Sequence, residues 1–397
     1  LLSGERIMKK IIALLYPVFI ILMPLSAQYA ENDAEIKFIK GNIQDKIECV
    51  KDTGNDSSSK IAVKALDFIL ENLVLLQDDR DFASLSVASI LAYPVLEFEN
   101  EPVLTVQKFA AVFYRLKDEN VRISTLEKIM TLSKNLKNDE AVKFVNTYLY
   151  SAMQDKIRYT AVEQKAIQVL SQIGNDESFL ILYQAIKNNV WNDASVELRN
   201  SILNLAENSA RQINEIIAKA DFKEMELIYS IFLKNSQISS SFKSEMAENL
   251  LTNSMIIVRD SSKISKEISD FQLNNCKILY DNNWTRSSEL VCSYFEVAKS
   301  QFTAGFLTEE EFCQVIKYVE KISSKDSVSI FTRYLGELNK EMDNGNLPAV
   351  NIVSALIQSL GALGDKSAFD CLFYTAYLHY PDYIVAQARS ALSSLKW

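Results

Sequence analysis

The sequence predicts an all-α fold, a superhelix of stacked antiparallel helix pairs, on three observations. Turn formers are scarce. There are 9 Gly and 6 Pro in 397 residues, about 4% where ordinary chains hold roughly 12%, too few for the many tight turns of a β-sandwich or a doubly wound sheet. Apolar residues recur at helical spacing from Ile61 onward, with Ala65, Leu66, Ile69 and Leu73 on one stripe. The chain also repeats itself: Ile167 to Leu205 aligns with Ile357 to Leu395 at a constant offset of 190 and without a gap.

Within that alignment Ile167 meets Ile357, Gln168 meets Gln358, Leu170 meets Leu360, Gly174 meets Gly364, Phe179 meets Phe369, Leu182 meets Leu372 and Arg199 meets Arg389. More diverged copies lie closer together. Ile316, Val319, Ile322, Val328 and Phe331 fall 41 residues before Ile357, Leu360, Leu363, Phe369 and Leu372, and NDEAVKFV from Asn138 sits 37 before NDESFLIL from Asn175. A period of about 37 to 41 residues, two amphipathic helices per unit, is the range of helical-pair solenoids, in which one pair cannot hide its own apolar stripe and neighbours must stack. In each unit the Gly at 174 or 364 suits the left-handed conformation that ends a helix, and the Asn or Asp after it caps the next.

These residues resemble the HEAT repeats of bacterial proteins. LGALGDKSAFDCL followed by PDYIVAQARSAL is similar to the family's helix, Gly-Asp turn, helix, Asp-containing turn and helix with a basic residue. The resemblance is clear over 121–207 and 312–397 and weaker between. It implies an armadillo-type α-solenoid and no particular activity, since such motifs specify fold. Asp193 and Arg199 match the family's spacing of six and read as structural turn braces; Asp382 and Arg389, one residue further apart, are the second such pair.

The N-terminus has another layout. MKKIIALLYPVFIILMPLSAQYA places two lysines before an uncharged apolar run, Ile11 to Leu25, and then small and polar residues, so residues 1–27 read as a secretory signal peptide. The alternative is an uncleaved anchor, but fifteen residues broken by Pro17 and Pro24 fall short of the roughly 20 needed to span a bilayer. Residues 1–7 read as sequence upstream of a start at Met8. Residues 28–60, with the polar KDTGNDSSSK from Lys51, read as a flexible arm before a solenoid over 61–397.

Inside the solenoid, Pro94 and Pro102 bracket a connection, and 253–285 breaks the regular spacing, as a longer helix or a kink between two sub-stacks would. Thr308 with Glu311 forms a capping box, and MDNGNLP ends the preceding pair before the last repeat.

The chemistry the sequence offers is sparse. His379 is the one histidine, which excludes HExxH and His-rich metal sites, and no P-loop, GxGxxG or GxSxG is present. No catalytic, metal or cofactor residues are expected, and no cofactor. Cys49, Cys276, Cys292, Cys313 and Cys371 form no CxxC pair; they read as small apolar residues in helix interfaces, with a disulfide as the alternative in an oxidising compartment. The formal charge is −9, and −11 once residues 1–27 with Arg6, Lys9, Lys10 and Glu5 are removed, so the body repels phosphate and nucleic acid is not an expected partner.

Tyr374, Tyr377, Tyr380 and Tyr383 cluster near the C-terminus and are the candidate partner contacts, weighed against a simpler role as the water-tolerant face of a terminal repeat. The expected protein is a non-catalytic periplasmic or otherwise extracytoplasmic scaffold or adaptor that holds a protein or peptide on the solenoid surface, without stable membrane insertion after signal cleavage. The alternatives are a self-assembling structural subunit of the cell envelope and, less favoured, a carboxylate-based enzyme.

Overall fold

The computed structural model describes residues 34–52, 57–134, 138–261 and 264–396. The signal segment 1–27, the upstream reading of 1–7 and Trp397 lie outside them. Among the described residues the chain is all-α with solenoid-like stacking of antiparallel helices; the β-type pairing found there is an isolated bridge between Asp365 and Lys396. No helix among them is long and apolar enough to cross a membrane. The chain divides into two compact units, 1–205 and 206–397.

The first unit begins with α1 (34–40) and α2 (Ile43–Asp52). A flexible arm was expected here, but both helices are docked. Phe38 meets Phe68 edge-on at 6.5 Å, and the buried Lys46 ammonium sits 4.7 and 4.9 Å from those two ring centroids while donating to the Phe38 carbonyl. Four apolar residues of this segment, Phe38, Ile47, Cys49 and Val50, are too widely scattered among charges to stand out as a stripe, yet all four are buried, while Ile36 and Ile39 stay exposed.

Then follow α3 (Ser57–Leu76), α4 (Arg80–Ala92), α5 (Val95–Asn100), α6 (Pro102–Arg115), α7 (Glu119–Ser133), α8 (Asp139–Gln154), α9 (Ala161–Ile173), α10 (Asp176–Lys187) and α11 (Ser195–Ala206). The stripe of Ala65, Leu66, Ile69 and Leu73 is buried as expected. Between the two prolines the chain forms the one-and-a-half turns of α5, because Pro94 precedes a helix start and Pro102 occupies the first position of α6, where its missing N–H is no loss. Contacts α3 to α6, α6 to α8 and α8 to α10 make one layer, and α4 to α7 and α7 to α9 the other.

The second unit contains α12 (Ala210–Lys219), α13 (Phe222–Ile228), α14 (Ser240–Ser261), α15 (Lys266–Asp281), α16 (Ser288–Thr303), α17 (Glu309–Asp343), α18 (Val350–Leu363), α19 (Phe369–Thr375) and α20 (Asp382–Ser394). The expected junction at 253–285 is an ordinary antiparallel pair, α14 against α15, with α14 lengthened to 22 residues. The boundary between compact units falls instead at 205/206. The irregular spacing reflects the length of α14 rather than a break in stacking. A real break sits in α17, where Ser324 has φ 38 and ψ −105, so two helices of one repeat are joined without a loop. That residue lies 41 before Asp365, the turn of the following repeat, as the sequence period requires. The Thr308–Glu311 capping box forms, and Gly345 at φ 84 follows the end of α17.

The 190-residue repeat is visible atom by atom. Asn175 accepts from the backbone N–H of Glu177 and Ser178, and Asp365, its counterpart, accepts from Ser367. Asn138, 37 before Asn175, accepts from Glu140 and Ala141 with the same offsets. Gln164 donates to Glu197 and Asn204 to Ser171; at the matching positions Ser354 donates to Gln387 and Ser394 to the Gly361 carbonyl. Phe179 and Tyr183 stack at 6.2 Å, and their counterparts Phe369 and Phe373 at 5.6 Å.

The two aligned glycines, however, serve different purposes. Gly364 takes the left-handed cap at φ 67, whereas Gly174 has φ −66 and ψ 166. At 174 glycine is needed for space: a Cβ there would collide with the Leu170 carbonyl and lie 2.8 Å from Ser178 Cβ. We therefore expect Gly364→Asn to lose less stability than Gly364→Ala, since Asn tolerates the left-handed region. At 174 Asn and Ala should be equally damaging, by about 1 to 3 kcal/mol. Urea denaturation of the four variants checks this, and equal ranking at both sites would contradict it.

Buried hydroxyls set the pH response. Burial raises the pKa of Tyr93, Tyr148, Tyr294, Tyr318, Tyr334 and Tyr380 above the ordinary 10.0, with Tyr318 and Tyr334 pushed up to about 12. Tyr148 is raised further by donating to the buried carboxylate of Glu163. An unfolded tyrosine ionises near 10, so above that pH the folded chain binds more protons than the unfolded one and stability falls as pH rises. Lys46 and Lys128, lowered by burial, act in the opposite sense below 10.5, but they are outnumbered by the tyrosines. The denaturation midpoint should drop above about pH 10, with tyrosinate absorbance rising together with loss of the helical circular dichroism signal. Ionisation of these tyrosines with the helical signal intact would refute the assignment.

Candidate functional site

A polar groove of about 600 Å3 lies in the first unit, over α7, α9 and α11. Its lining follows from helix periodicity. On α9, Val162, Ala166, Ile167, Val169 and Leu170 turn inward and are buried, which leaves Gln164, Gln168 and Gln172, four residues apart, on the opposite stripe. On α11, Leu198, Ile202 and Leu205 are buried, and Glu197, Asn200 and Asn204 face the groove. The start of α9 is pinned by a capping box in which Thr160 and Glu163 satisfy each other's free groups.

Two cross-helix hydrogen bonds frame the groove. Gln164 donates to Glu197 at one end and Asn204 donates to Ser171 at 2.9 Å at the other. The rungs are seven residues apart along each helix, a separation of roughly 10 Å at 1.5 Å per residue. Glu197 also accepts from Tyr159, whose hydroxyl pKa is pushed up by burial and then by that carboxylate. Tyr159 is itself held against Trp191, 6.2 Å between ring centroids, and the Trp191 indole N–H donates to the Ile157 carbonyl at 3.0 Å. Between the rungs, the exposed amides of Gln168 and Asn200 have no hydrogen-bond partner among the described residues. Each amide offers both donors and an acceptor, so the open middle of the groove can pair with groups of either kind.

At the matching positions of α18 and α20 the same rungs form, but the lining there is Ser354, Gln358, Ala362, Gln387, Ser390 and Ser394. The first copy is richer in amides, with Gln164, Gln172, Asn200 and Asn204 where the second has Ser354, Ala362, Ser390 and Ser394, while Gln168 and Gln358 are common to both and the rungs belong to the repeat. Sequence reasoning passed over this site. The Gln-x3-Gln-x3-Gln stripe of α9 was its available signal, and only the neighbouring helix shows that Asn200 and Asn204 face it.

The expected site residues are distributed differently. Asp193 is exposed on a single 3-10 turn and Arg199 is half-buried on α11; among the described residues neither forms an ion pair. Asp382 and Arg389 are exposed on α20 and likewise unpaired. The bracing role assigned to them falls to Trp191 and Glu197, because a side chain that reaches back one whole repeat fixes two turns where a local Asp–Arg pair would fix one.

Of the four tyrosines, Tyr374, Tyr377 and Tyr383 are exposed. Tyr380 is buried at 5%, so it belongs to the core and is no partner contact. The turn at Pro381 directs it inward while Tyr377 and Tyr383 point outward. His379 is exposed in the same turn. The five cysteines form no disulfide; Cys49 and Cys276 are buried and the other three partly so. Among the described residues no cluster of His, Cys, Asp or Glu could hold a metal ion.

Comparison with known proteins finds no matching family model, no similar curated protein and no similar solved structure.

Proposed function

We propose that this protein is a non-catalytic extracytoplasmic scaffold or adaptor, a HEAT-like repeat protein of the bacterial envelope that binds a protein or peptide segment in the groove of α7, α9 and α11. The observation that carries this reading is the pair of unpartnered amides, Gln168 and Asn200, framed by two hydrogen-bonded rungs. A polypeptide main chain presents one donor and one acceptor per residue, and side-chain amides match both. Roughly 10 Å between rungs admits about three residues of extended chain at 3.3 Å each.

The groove's chemistry favours holding over reacting. Its lining is dominated by amides and hydroxyls, and both oxygens of Glu197 already accept hydrogen bonds from Tyr159 and Gln164. Export rests on the N-terminal sequence pattern, a short apolar run behind two lysines. The surrounding body is acidic, which supports a polypeptide rather than a nucleic acid as the bound species.

Selection from a displayed library of random peptides, followed by binding to purified protein, tests the proposal. Gln168→Trp, which fills the groove from an exposed position, and the double change Gln168→Ala with Asn200→Ala should each weaken the selected peptides at least about tenfold, the loss of one to two hydrogen bonds. Helical content and melting temperature should stay unchanged. Selected peptides that bind both variants as tightly as the parent would refute the groove as the binding site.

A further inference from the structure

A second surface, in the other unit, carries a more specific assignment. The exposed face of α19 presents Phe373 and Tyr374, and Tyr377 follows in the turn. Phe373 stacks on Phe369 at 5.6 Å and meets Tyr377 at 4.7 Å, so the rings form a continuous ladder, with Tyr377 72% exposed at its end.

Two independent observations say what this ladder lacks. In the same unit, half-buried rings are covered by the protein's own cations. Lys321 lies 4.2 Å from the Tyr280 ring centroid, Arg286 4.8 Å from Trp284 and Lys234 5.6 Å from Tyr229. Among the described residues no Lys or Arg lies over Phe373, Tyr374, Tyr377 or Tyr383, although these are more exposed. The second observation concerns the rim. Asp370 shares the α19 face one turn before Tyr374, and Asp343 lies beside the Tyr374 hydroxyl; no Lys or Arg pairs with either among the described residues. The patch therefore combines open π faces, which attract cations, with unneutralised carboxylates.

We propose that the exposed rings of Phe373, Tyr374 and Tyr377, flanked by Asp343 and Asp370, are a docking surface for an arginine- or lysine-bearing segment of a partner protein. The basic side chains take over the ring faces as Arg286 and Lys321 do elsewhere in the unit, and the carboxylates neutralise them. Arginine is the better fit, because its planar guanidinium stacks on a ring while its edge reaches a carboxylate in two-pronged fashion. This surface and the amide groove are separate, and each stands or falls alone.

Titration of the full-length protein with blocked tetra-arginine and tetra-glutamine peptides, followed by calorimetry, tests the assignment. Tetra-arginine should bind and tetra-glutamine should not, and about 0.5 M salt should weaken the complex severalfold by screening. The double variant Phe373→Ala with Tyr377→Ala should lose affinity about tenfold, and Tyr377→Leu, which keeps apolar area but removes the ring, should lose part of it. Asp343→Asn with Asp370→Asn should weaken binding while the ladder remains. Gln168→Trp should leave it untouched, so a failure here is distinct from a failure of the groove. Binding that survives loss of the rings would reduce the effect to the acidic body as a whole and overturn the proposal. The proposal would equally be overturned if Tyr377→Leu bound at full strength, if phosphatidylcholine vesicles bound where tetra-arginine did not, or if ring-dependent self-association appeared in sedimentation.

Discussion

The constraint from which the rest of this structure follows is that no helix pair in it can cover its own apolar stripe. Each pair presents a row such as Ile167, Leu170, Phe179 and Leu182, all buried, whose concealment needs the pair before and the pair after. The tertiary hydrogen bonds carry the imprint of this. Lys128 reaches back 37 residues to the Leu91 carbonyl, Trp191 reaches back 34 to Ile157, Asn249 reaches back 35 to Asn214, Trp284 reaches back 36 to Glu248, and Asn339 reaches forward 36 to Thr375. Each spans one repeat. Magnitudes divide the labour: a fully buried Phe or Leu contributes about 1.5 to 3 kcal/mol, while an exposed ion pair such as Lys277–Asp281 contributes at most about 1. Burial holds the stack together, and the rungs choose which residue faces which.

This division explains what was legible in the sequence. Buried positions are degenerate in kind but strict in spacing, so Ile357, Leu360 and Leu372 could be matched to Ile167, Leu170 and Leu182 without any structure. Helix starts were legible for the same reason, since an N-cap demands a particular side-chain oxygen at one position, as at Asn138, Asn175, Thr308 and Asp365. Backbone conformation was not. Gly174 and Gly364 occupy aligned columns and look alike in sequence, but one relieves a collision and the other takes a left-handed turn. A one-letter code records the absence of a Cβ and is silent on which neighbour requires it.

The site residues were harder to read because they are set by the partner helix rather than by their own. Gln168 is an unremarkable polar residue on the outer stripe of α9 until Asn200 of α11 is placed beside it. Tyr380 looked equivalent to Tyr377 and Tyr383 by composition, and the turn around Pro381 separates them, one into the core and two into solvent. The docking of α1 and α2 was hidden in a similar way. Lys46, a charge that would ordinarily argue for exposure, is accommodated by two phenyl faces and a carbonyl supplied from elsewhere.

Repetition also separates architecture from function within one molecule. The rungs at 164–197 and 171–204 recur at 354–387 and 361–394, so their presence alone says nothing about binding; between them Gln168 and Gln358 are alike while Asn200 is replaced by Ser390, and that difference is where selectivity can reside. The aromatic pairs teach the same lesson from the other side. Phe179 and Tyr183 stack as Phe369 and Phe373 do, yet the first pair is buried and Phe373 is 45% exposed, so stacking is a habit of residues four apart on a helix and not a device for recognition. What distinguishes the α19 ladder is its surroundings: carboxylates without cations beside rings without cover. A functional reading of a repeat protein therefore has to rest on what varies against the common frame, such as Asn200 against Ser390 beside the rungs and the exposed Phe373 against the buried Tyr183.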